Sequence, residues 1–408
     1  MFIADFHIHS RYSRATSKEM DVEHLVQWAR WKGIKLLGTG DWTHHLWLEE
    51  LKAKLEPLNN GLFIYKGIYF ILSTEVSNIY FKYGKTRRVH NLIFAPSFKV
   101  VDKINSVLST YGDLSVDGRP VLSLDCQEMV RIILDICADC FIVPAHAWTP
   151  WFGIFGSQTG FDKIEECFDK QTPNIYALET GLSSDPAMNW RWSALDRFAL
   201  ISNSDAHSPV RLGREANAFD CELDYYAILK ALKQRDKRRF LFTIEFFPQE
   251  GKYHFDGHRS CSICFSPQQT REHNNLCPKC GRPLTVGVMN RVEQLADRPE
   301  NFQPEQAIPF KSLIPLEEII AEAYGVGKET RGVQRDYLSF VQNLGNEFEI
   351  LLTIPEQILR RRLPERVSEG IIRVREGKVD IRPGYDGEYG KITIFPKEKE
   401  EGRQMSLF

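Results

Sequence analysis

Hydrophobic and polar positions repeat one pattern over roughly the first 210 residues of the chain. Short runs rich in β-branched and aromatic residues end in polar side chains, and stretches with helical spacing lie between them. The β-rich runs are FIADFHIH, IKLLGTGD, YFILSTEVSNIY, RVHNLIFAP, CFIVPAHAW, IYALETGL and LISNSDAH. The third and fourth runs flank KYGKTR, which is typical of a hairpin turn, so we expect them to be antiparallel. The whole pattern predicts an α/β barrel whose chemistry lies at the carboxyl ends of its strands.

Polar side chains gather at these predicted strand ends. The first run places His7 and His9 two residues apart, which directs both to one face of a strand. The run LISNSDAH repeats this spacing with Asp205 and His207. Imidazoles and carboxylates are ligands for borderline divalent cations, zinc foremost, and a carboxylate such as Glu75 can bridge two of them. Incidental histidines at strand ends do not account for this gathering, and we predict a metal centre from a set that also contains His90 and His146. Asp41 and Glu179 lie at further predicted strand ends.

Four of the nine cysteines form two C-x-x-C pairs separated by twelve residues: Cys261, Cys264, Cys277 and Cys280. In a reducing compartment this spacing predicts a tetrahedral structural zinc site rather than disulfides. The length of 408 residues suits two domains and a small module. We expect a barrel over 1–234, a zinc module over 235–295, a mixed, largely helical C-terminal domain over 296–396 and a flexible tail over 397–408.

The C-terminal region opens with a predicted helix, a Gly-x-Gly turn at Gly325 and Gly327, and a second helix. A helix–hairpin–helix that offers backbone N–H groups to a DNA phosphate and an ordinary helical turn both fit this pattern.

Composition narrows the class of protein. The chain is 43% hydrophobic and 26% charged, with a net charge of −2, which is ordinary for a soluble globular protein. It has neither a run of ~20 apolar residues nor the layout of a signal peptide, so we expect a cytoplasmic protein without a membrane partner. The clusters KQRDKRRF, KYGKTRR and LRRRLPER permit nucleic-acid binding, although such clusters are more often solvated faces.

The pattern of His, Asp and Glu resembles the PHP (polymerase and histidinol phosphatase) family of metal-dependent phosphoesterases, a distorted (β/α)7 barrel that usually holds three metals. The resemblance implies one metal at His7, His9, Glu75 and Asp205, a second at Glu75, His90 and His146, and a third at Asp41 and His207. Trp42 departs from the family's Thr-Asp-His pattern, which leaves His44 as an alternative ligand of the third metal. We expect a water activated by two or three divalent metals to hydrolyse a phosphoester, with His7, His9, Glu75, His146 and Asp205 as the catalytic set.

The order of barrel, zinc module and C-terminal domain resembles the endonuclease Q family, as do the segments FTIEFFPQEGKYHFDGHRSC, LGTGDWTHH and LETGLSSDP. The resemblance implies nicking of DNA on the 5′ side of uracil, hypoxanthine or an abasic site, with zinc together with Mg²⁺ or Mn²⁺ in the barrel. An extruded base could stack on exposed rings, at ~1–3 kcal/mol per base, although any one ring is more often core. The candidates for a base pocket are Trp42, Asn78, Trp148, Trp151 and Asn203.

The last five residues, Gln404, Met405, Ser406, Leu407 and Phe408, are similar to the bacterial sliding-clamp peptide Gln-Leu-Ser-Leu-Phe. They imply a bacterial clamp as a partner of an otherwise monomeric protein. Two alternatives remain open at this stage. One is a PHP-type 3′–5′ exonuclease or small-molecule phosphatase, and the other is a non-catalytic module that binds DNA or the clamp.

Overall fold

Strands and helices alternate through the N-terminal part of the computed structural model, which describes residues 1–396. The strands are β1 (Phe2–Asp5), β2 (Ile34–Gly38), β3 (Glu56–Pro57), β4 (Phe63–Tyr65), β5 (Ile68–Lys82), β6 (Lys85–Ala95), β7 (Val121–Leu122), β8 (Phe141–Pro144), β9 (Ala177–Glu179), β10 (Ala199–Ile201), β11 (Ala216–Phe219) and β12 (Phe240–Glu245). The helices are α1 (Val22–Lys32), α2 (His45–Lys54), α3 (Phe98–Leu108), α4 (Cys126–Ile136), α5 (Ile164–Phe168), α6 (Pro186–Trp190) and α7 (Tyr225–Gln234). The predicted mixed α/β fold is confirmed.

The central strands follow the order of the predicted runs. β1, β2 and β5 are parallel neighbours, β5 and β6 form the expected antiparallel hairpin, and β6 continues to β8. β9 and β10 form a separate parallel pair, and the chain after β10 returns to β1, where Asn203 accepts a hydrogen bond from the Phe6 N–H. The pairings thus form an eleven-stranded sheet and smaller sheets rather than one continuous ring. The seven-stranded barrel stays an interpretation of this arrangement.

The interior of the strands is apolar at one end and polar at the other. Ala4, Phe6, Leu36, Ile71 and Phe94 belong to one buried cluster. Beyond this cluster, the His9 N–H donates to the Ala206 carbonyl at 3.0 Å, which joins the His-x-His segment to the Asp-x-His segment. The packed apolar layer therefore fixes the carboxyl ends of the strands relative to one another. The polar side chains lie directly beyond this layer.

The cysteine-rich segment is inserted between two strands of the large sheet. It contains β13 (Asp256–His258), β14 (Ile263–Phe265), α8 (Pro267–Glu272) and α9 (Val288–Leu295), and β15 (Phe310–Ser312) then pairs parallel with β12. β12 and β15 lie beyond the predicted boundaries at 234 and 295, and both belong to the sheet of the N-terminal part. Backbone hydrogen bonds to β11 on one side and β15 on the other hold β12 in that sheet.

The C-terminal region is largely helical, as predicted. It contains α10 (Leu316–Tyr324), α11 (Arg331–Asn343), α12 (Glu356–Arg362), α13 (Glu365–Arg375) and the strand pair β16 (Asp380–Arg382) and β17 (Lys391–Thr393). Gly325 ends α10 with a φ of +67°, a left-handed conformation that glycine adopts without a steric penalty, and α11 follows after five further residues. No helix of residues 1–396 is long and apolar enough to cross a membrane. The predicted clamp motif lies outside the described residues.

A buried ion pair joins the C-terminal region to α1. Lys32 Nζ lies 2.7 Å from Glu347 Oε2, and both side chains are buried. The second carboxylate oxygen accepts from the Leu316 N–H, and the Tyr337 hydroxyl donates to Oε2. The Lys32 ammonium also lies over the rings of Trp28 and Tyr337. Every donor and acceptor of this junction therefore depends on Glu347.

We expect Glu347→Gln to lower the free energy of unfolding by about 3 kcal/mol, because it leaves the buried Lys32 charge without a partner. Urea unfolding followed by tryptophan fluorescence measures this change. Glu128→Gln, which removes an exposed carboxylate paired with Arg131, is the matched control and should leave the midpoint almost unchanged. Equal midpoints for the two variants would show that the junction contributes little to stability.

Candidate metal centre

Two overlapping groups of ligand atoms converge just beyond the ends of β1, β8 and β10, beside the middle of the long β5–β6 hairpin. One group contains His7, His9, Glu75 and Asp205, and the other contains Glu75, His90 and His146. Within each group the ligand atoms lie within 4.8 Å of one another. The register of the β5–β6 ladder brings Glu75 close to the second group. Ser77 lies opposite His90 in this ladder, and Glu75, two residues before Ser77, points to the same face.

The arrangement of the donor atoms suits the binding of cations better than it suits hydrogen bonds among the side chains themselves. His7 Nε2, His9 Nε2 and Asp205 Oδ1 are buried and have no hydrogen-bond partner among the described residues. His9 Nε2 nevertheless lies 3.0 Å from Asp205 Oδ1 and 3.3 Å from Glu75 Oε2. Lone pairs that point at a common centre without hydrogen-bond geometry are expected of residues that share a cation. Histidine nitrogen and carboxylate oxygen are also the ligand types of zinc and related metals.

Carboxylates behind the two paired histidines fix their ring orientation. Glu179 accepts from His7 Nδ1 at 3.1 Å, and Asp41 Oδ1 accepts from His9 Nδ1 at 3.0 Å. Each bond leaves Nε2 as the free lone pair that faces the centre, which is the usual outer support of a metal-binding histidine. Glu179 also accepts from the His146 N–H at 2.8 Å, so one carboxylate positions residues of both groups.

Burial and charge set the protonation of the cluster. Burial alone lowers the pKa of His7, but the carboxylates of Glu179, Glu75 and Asp205 outweigh it and raise that pKa well above 6.5. The pKa of His9 is raised in the same way. Burial raises the pKa of Glu75, but the charges of His90, Arg119 and His7 bring it well below its ordinary value. The cluster therefore keeps its carboxylates ionised and attracts positive charge.

Three residues of the cluster have a left-handed backbone. The φ angles are +45° at Asp41, +30° at His146 and +47° at Asp205. Such conformations are sparsely populated by residues other than glycine and cost of order 1–3 kcal/mol each, so the surrounding hydrogen bonds have to maintain them. Strained backbone at three strand ends is typical of a functional site.

The predicted third metal group does not assemble in this structure. Both oxygens of Asp41 are occupied, one by His9 and the other by the Ser10 N–H, the Ser10 hydroxyl and the Ser13 hydroxyl. His207 Nδ1 lies 2.8 Å from the Asp205 carbonyl oxygen. His44 Nε2 contacts the Ser115 carbonyl at 3.1 Å, and its Nδ1 is buried without a hydrogen-bond partner among the described residues. Asp41 thus orients His9, and the groups of three or more converging ligand atoms at this site among residues 1–396 are the first two that the resemblance implies.

The structure buries four of the five residues predicted for the base pocket. Trp42, Asn78, Trp148 and Asn203 are fully buried, and only Trp151, at 46% exposure, can meet a base. The polar edges of the buried residues are used internally. Trp148 Nε1 donates to Asn189, Asn78 donates to the Leu124 carbonyl, and Asn203 donates to Glu179 Oε1 at 2.8 Å. Trp42 Nε1 is the exception, since it is buried without a hydrogen-bond partner among the described residues.

Comparisons with known proteins fit this geometry. A solved structure of the lesion-specific endonuclease PfuEndoQ from Pyrococcus furiosus is 33% identical, with a TM-score of 0.87 over 97% of this chain and 96% of that one. The chain belongs to the endonuclease Q family. A structure of endonuclease Q in complex with a 27-mer duplex that carries an abasic lesion at the active site has a TM-score of 0.85 and 33% identity over all of both chains.

Two further matches extend to the C-terminal region and to a longer relative. Residues 315–378 match the family model of the MJ0043 C-terminal domain. The uncharacterized protein MJ0043 of Methanocaldococcus jannaschii is 36% identical over 269 residues, which are 64% of this chain and 33% of that protein. The chain thus spans only a third of the length of that relative.

In this family member the cysteine cluster differs from the predicted one. His258 replaces Cys264 in the group of converging ligand atoms, which otherwise contains Cys261, Cys277 and Cys280. The reason is strand alternation. Cys264 lies opposite Gly257 in the β13–β14 ladder, whereas His258 lies opposite Ile263 and therefore points to the other face. Cys264 Sγ is instead 3.9 Å from the Pro383 carbonyl.

Two residues of these centres were missed by the sequence analysis. Glu179 was recognised only as a strand-end residue, and the conspicuous C-x-x-C spacing hid His258. The pattern His-x-x-Cys at His258 and Cys261 was the available signal for the second residue, because it has the same spacing as a cysteine pair.

We expect metal stabilisation of the barrel to increase with pH. The raised pKa of His7 and of His9 stabilises the metal-free fold below about pH 6.5, and this contribution is lost as the pH rises through the folded pKa. Burial raises the pKa of Glu245 to about 8, so this residue ionises more readily in the unfolded chain, where its pKa has the ordinary value of 4.5. Between these two values a rise in pH therefore also lowers the stability of the fold. Bound cations replace the protons on His7 and His9, so the metal-loaded fold does not lose the stability that these protons provide to the metal-free fold.

The measurement is the melting temperature from pH 6 to pH 9 with EDTA or with added Mn²⁺ or Zn²⁺, using His24→Ala, an exposed histidine on α1, as the matched control for His7→Ala. The gap between metal-loaded and EDTA-treated protein should widen with pH in the wild type and in the control, and narrow in His7→Ala. A gap that is independent of pH would contradict the expected competition between protons and metal.

For the cysteine cluster, we expect His258→Ala and Cys261→Ser to release zinc at lower chelator concentrations than the wild type, because each removes one converging ligand. Cys264→Ser is the matched variant and should hold zinc like the wild type. A colorimetric zinc assay during chelator titration measures the release. Release from Cys264→Ser together with retention in His258→Ala would restore the four-cysteine set.

Proposed function

We propose that this protein is a DNA repair endonuclease that hydrolyses the phosphodiester on the 5′ side of a deaminated base, such as uracil or hypoxanthine, or of an abasic site. The observation that carries the proposal is the pair of ligand groups that share Glu75. Family membership and the likeness to an endonuclease Q bound to an abasic duplex support it. We interpret the central strands as a PHP-type barrel with these groups at its carboxyl end.

The residues present fit two divalent cations, as the orphaned nitrogens of His7 and His9 indicate. His7, His9, Glu75 and Asp205 would hold one, and Glu75, His90 and His146 would hold the other. When bound, such cations supply Lewis-acid chemistry that stabilises the charge developing on a phosphate ester under attack by water. We assign zinc to the cysteine module and zinc, Mg²⁺ or Mn²⁺ to the barrel.

The protein's own residues pre-organise this centre and open it on one side. Glu179 and Asp41 hold His7 and His9 in one orientation, so little reorganisation accompanies substrate binding. Asp205 and His207 are the accessible members, with 27% and 32% of their side chains exposed. We infer that the phosphodiester approaches from this side.

An extruded base has one suitable ring near the centre. Trp151 is exposed and lies on the loop that follows His146, with its ring 6.1 Å from that of Tyr253. Stacking on Trp151 requires no hydrogen-bond pattern, and backbone groups are then left to distinguish a carbonyl from an amino group. We further propose that the tail residues Gln404 to Phe408 bind a bacterial sliding clamp and that the protein acts as a monomer.

Purified protein with Mg²⁺, Mn²⁺ or Zn²⁺ should nick a labelled duplex once, just 5′ of a uracil, hypoxanthine or abasic site, and leave the normal duplex intact. His7→Ala and Glu75→Gln should reduce the rate at least about 100-fold, because each removes a cation ligand. His24→Ala should cut like the wild type. Shortening from the ends regardless of lesion would indicate an exonuclease, and hydrolysis of phosphomonoesters alone would indicate a phosphatase.

A further inference from the structure

An arginine that the sequence analysis left without a role reaches the metal centre. Arg119 Nη1 donates to Glu75 Oε2 at 3.2 Å, and 27% of the Arg119 side chain is exposed while Glu75 is buried. Among the hydrogen bonds of residues 1–396, this is the one that the guanidinium donates. A guanidinium has five N–H donors in a planar fork, so most of its donor capacity faces the opening of the site.

The loop that carries Arg119 is held firmly against the centre. The Gly118 N–H donates to the Tyr12 carbonyl at 3.1 Å, and the Thr43 hydroxyl donates to the Gly118 carbonyl at 3.0 Å. A Cβ on Gly118 would lie 2.3 Å from Asp41 Oδ2, so any larger residue would displace the loop or the carboxylate. Asp117 accepts from the Arg119 N–H at 3.1 Å. These contacts fix the backbone from which the guanidinium extends.

Cations held by the two ligand groups would change the partner of Arg119. Glu75 is the one residue that both ligand groups contain, and cations on its oxygens compete with the guanidinium for the same lone pairs. A metal-free Glu75 needs Arg119 as a counter-charge, whereas a metal-loaded Glu75 does not. A guanidinium released in this way would stand at the mouth of the site, where its fork matches the geometry of phosphate oxygens.

We propose that Arg119 binds a non-bridging oxygen of the scissile phosphate. This inference rests on the proposed function and names the residue that holds its substrate beside the cations. The contact fixes the phosphorus relative to the ligand groups and neutralises part of the charge that develops on the phosphate oxygens. Arg119 is therefore a catalytic residue rather than a support for Glu75.

The neighbouring arginine shows why position matters. Arg14 pairs with Asp117, the same carboxylate that orients the Arg119 backbone, but 78% of its side chain is exposed and its partner is not a cation ligand. Arg14 shares the rim and its charge without a contact to the centre. Arg14→Met is thus the matched control for Arg119→Met.

The test is a cycle that combines Arg119→Met with a neutral methylphosphonate at the scissile linkage of a lesion duplex. Binding is measured by fluorescence anisotropy with Ca²⁺ as the only divalent cation, and a gel verifies that the duplex is intact. We expect neutralisation of the linkage to weaken wild-type binding about tenfold and to weaken binding by Arg119→Met by a clearly smaller factor, since only the attraction to the cations is then lost. Arg14→Met should remain as sensitive to the neutral linkage as the wild type. Additive effects of the variant and the linkage would overturn the proposal.

Cleavage and metal content separate catalysis from support. Arg119→Met should cut the normal lesion linkage about 100-fold more slowly while mass spectrometry finds an unchanged metal content, and Arg119→Lys should be intermediate. Loss of bound metal from Arg119→Met together with additive binding effects would assign Arg119 to the support of Glu75 and refute the phosphate contact.

Inorganic phosphate distinguishes this inference from the proposed function. Phosphate should raise the melting temperature of the Mn²⁺-loaded wild type and of Arg14→Met by more than that of Arg119→Met. If the wild type cuts no lesion duplex and the phosphate effect is present, the proposed function fails and the contact stands. If the wild type nicks the duplex and phosphate stabilises all three proteins equally, only the Arg119 contact fails.

Discussion

The structure depends on a carboxylate that is buried among positive and metal-seeking groups. Glu75 lies in the interior of the strands, where an isolated charge would be very costly. His7, His9, His90, His146 and Arg119 all approach its two oxygens. For this to happen, the ends of β1 and β8 have to lie beside the middle of the β5–β6 hairpin. Packing of the apolar layer below Glu75 is therefore a condition of the chemistry above it.

The sequence predicted the paired motifs because their spacing is a local property. His7 with His9 and Asp205 with His207 are two residues apart, and strand geometry alone relates their directions. The β5–β6 hairpin was predictable for the same reason, and its register then places Glu75 and His90 on one face. Each of these inferences needed only neighbouring residues or a single turn.

Contacts between distant segments were beyond the sequence pattern. Glu179 is 172 residues from His7, and its role exists only because β9 ends behind β1. Asn203 fits a base-reading side chain until the fold places it against Glu179, and Cys264 fits a zinc ligand until the β13–β14 ladder turns it away. In each case the residue type was informative and the direction of its side chain was not. The direction of a side chain depends on how distant segments of the chain pair with one another. Composition and spacing do not contain this information.

The cysteine module also reaches the centre through packing that no motif reports. Arg291 on α9 donates to the carbonyls of Phe155 and Phe161, at 3.0 Å in both cases. These residues belong to the loop that follows His146 and carries Trp151, and the His90 N–H donates to the Phe152 carbonyl of the same loop at 2.9 Å. β12 and β15 hold both ends of the inserted segment in the large sheet, so the position of Arg291 is fixed. The module thereby stabilises the loop that joins Trp151 to His90 and His146. This contact explains why the module is inserted into the sheet rather than appended to it.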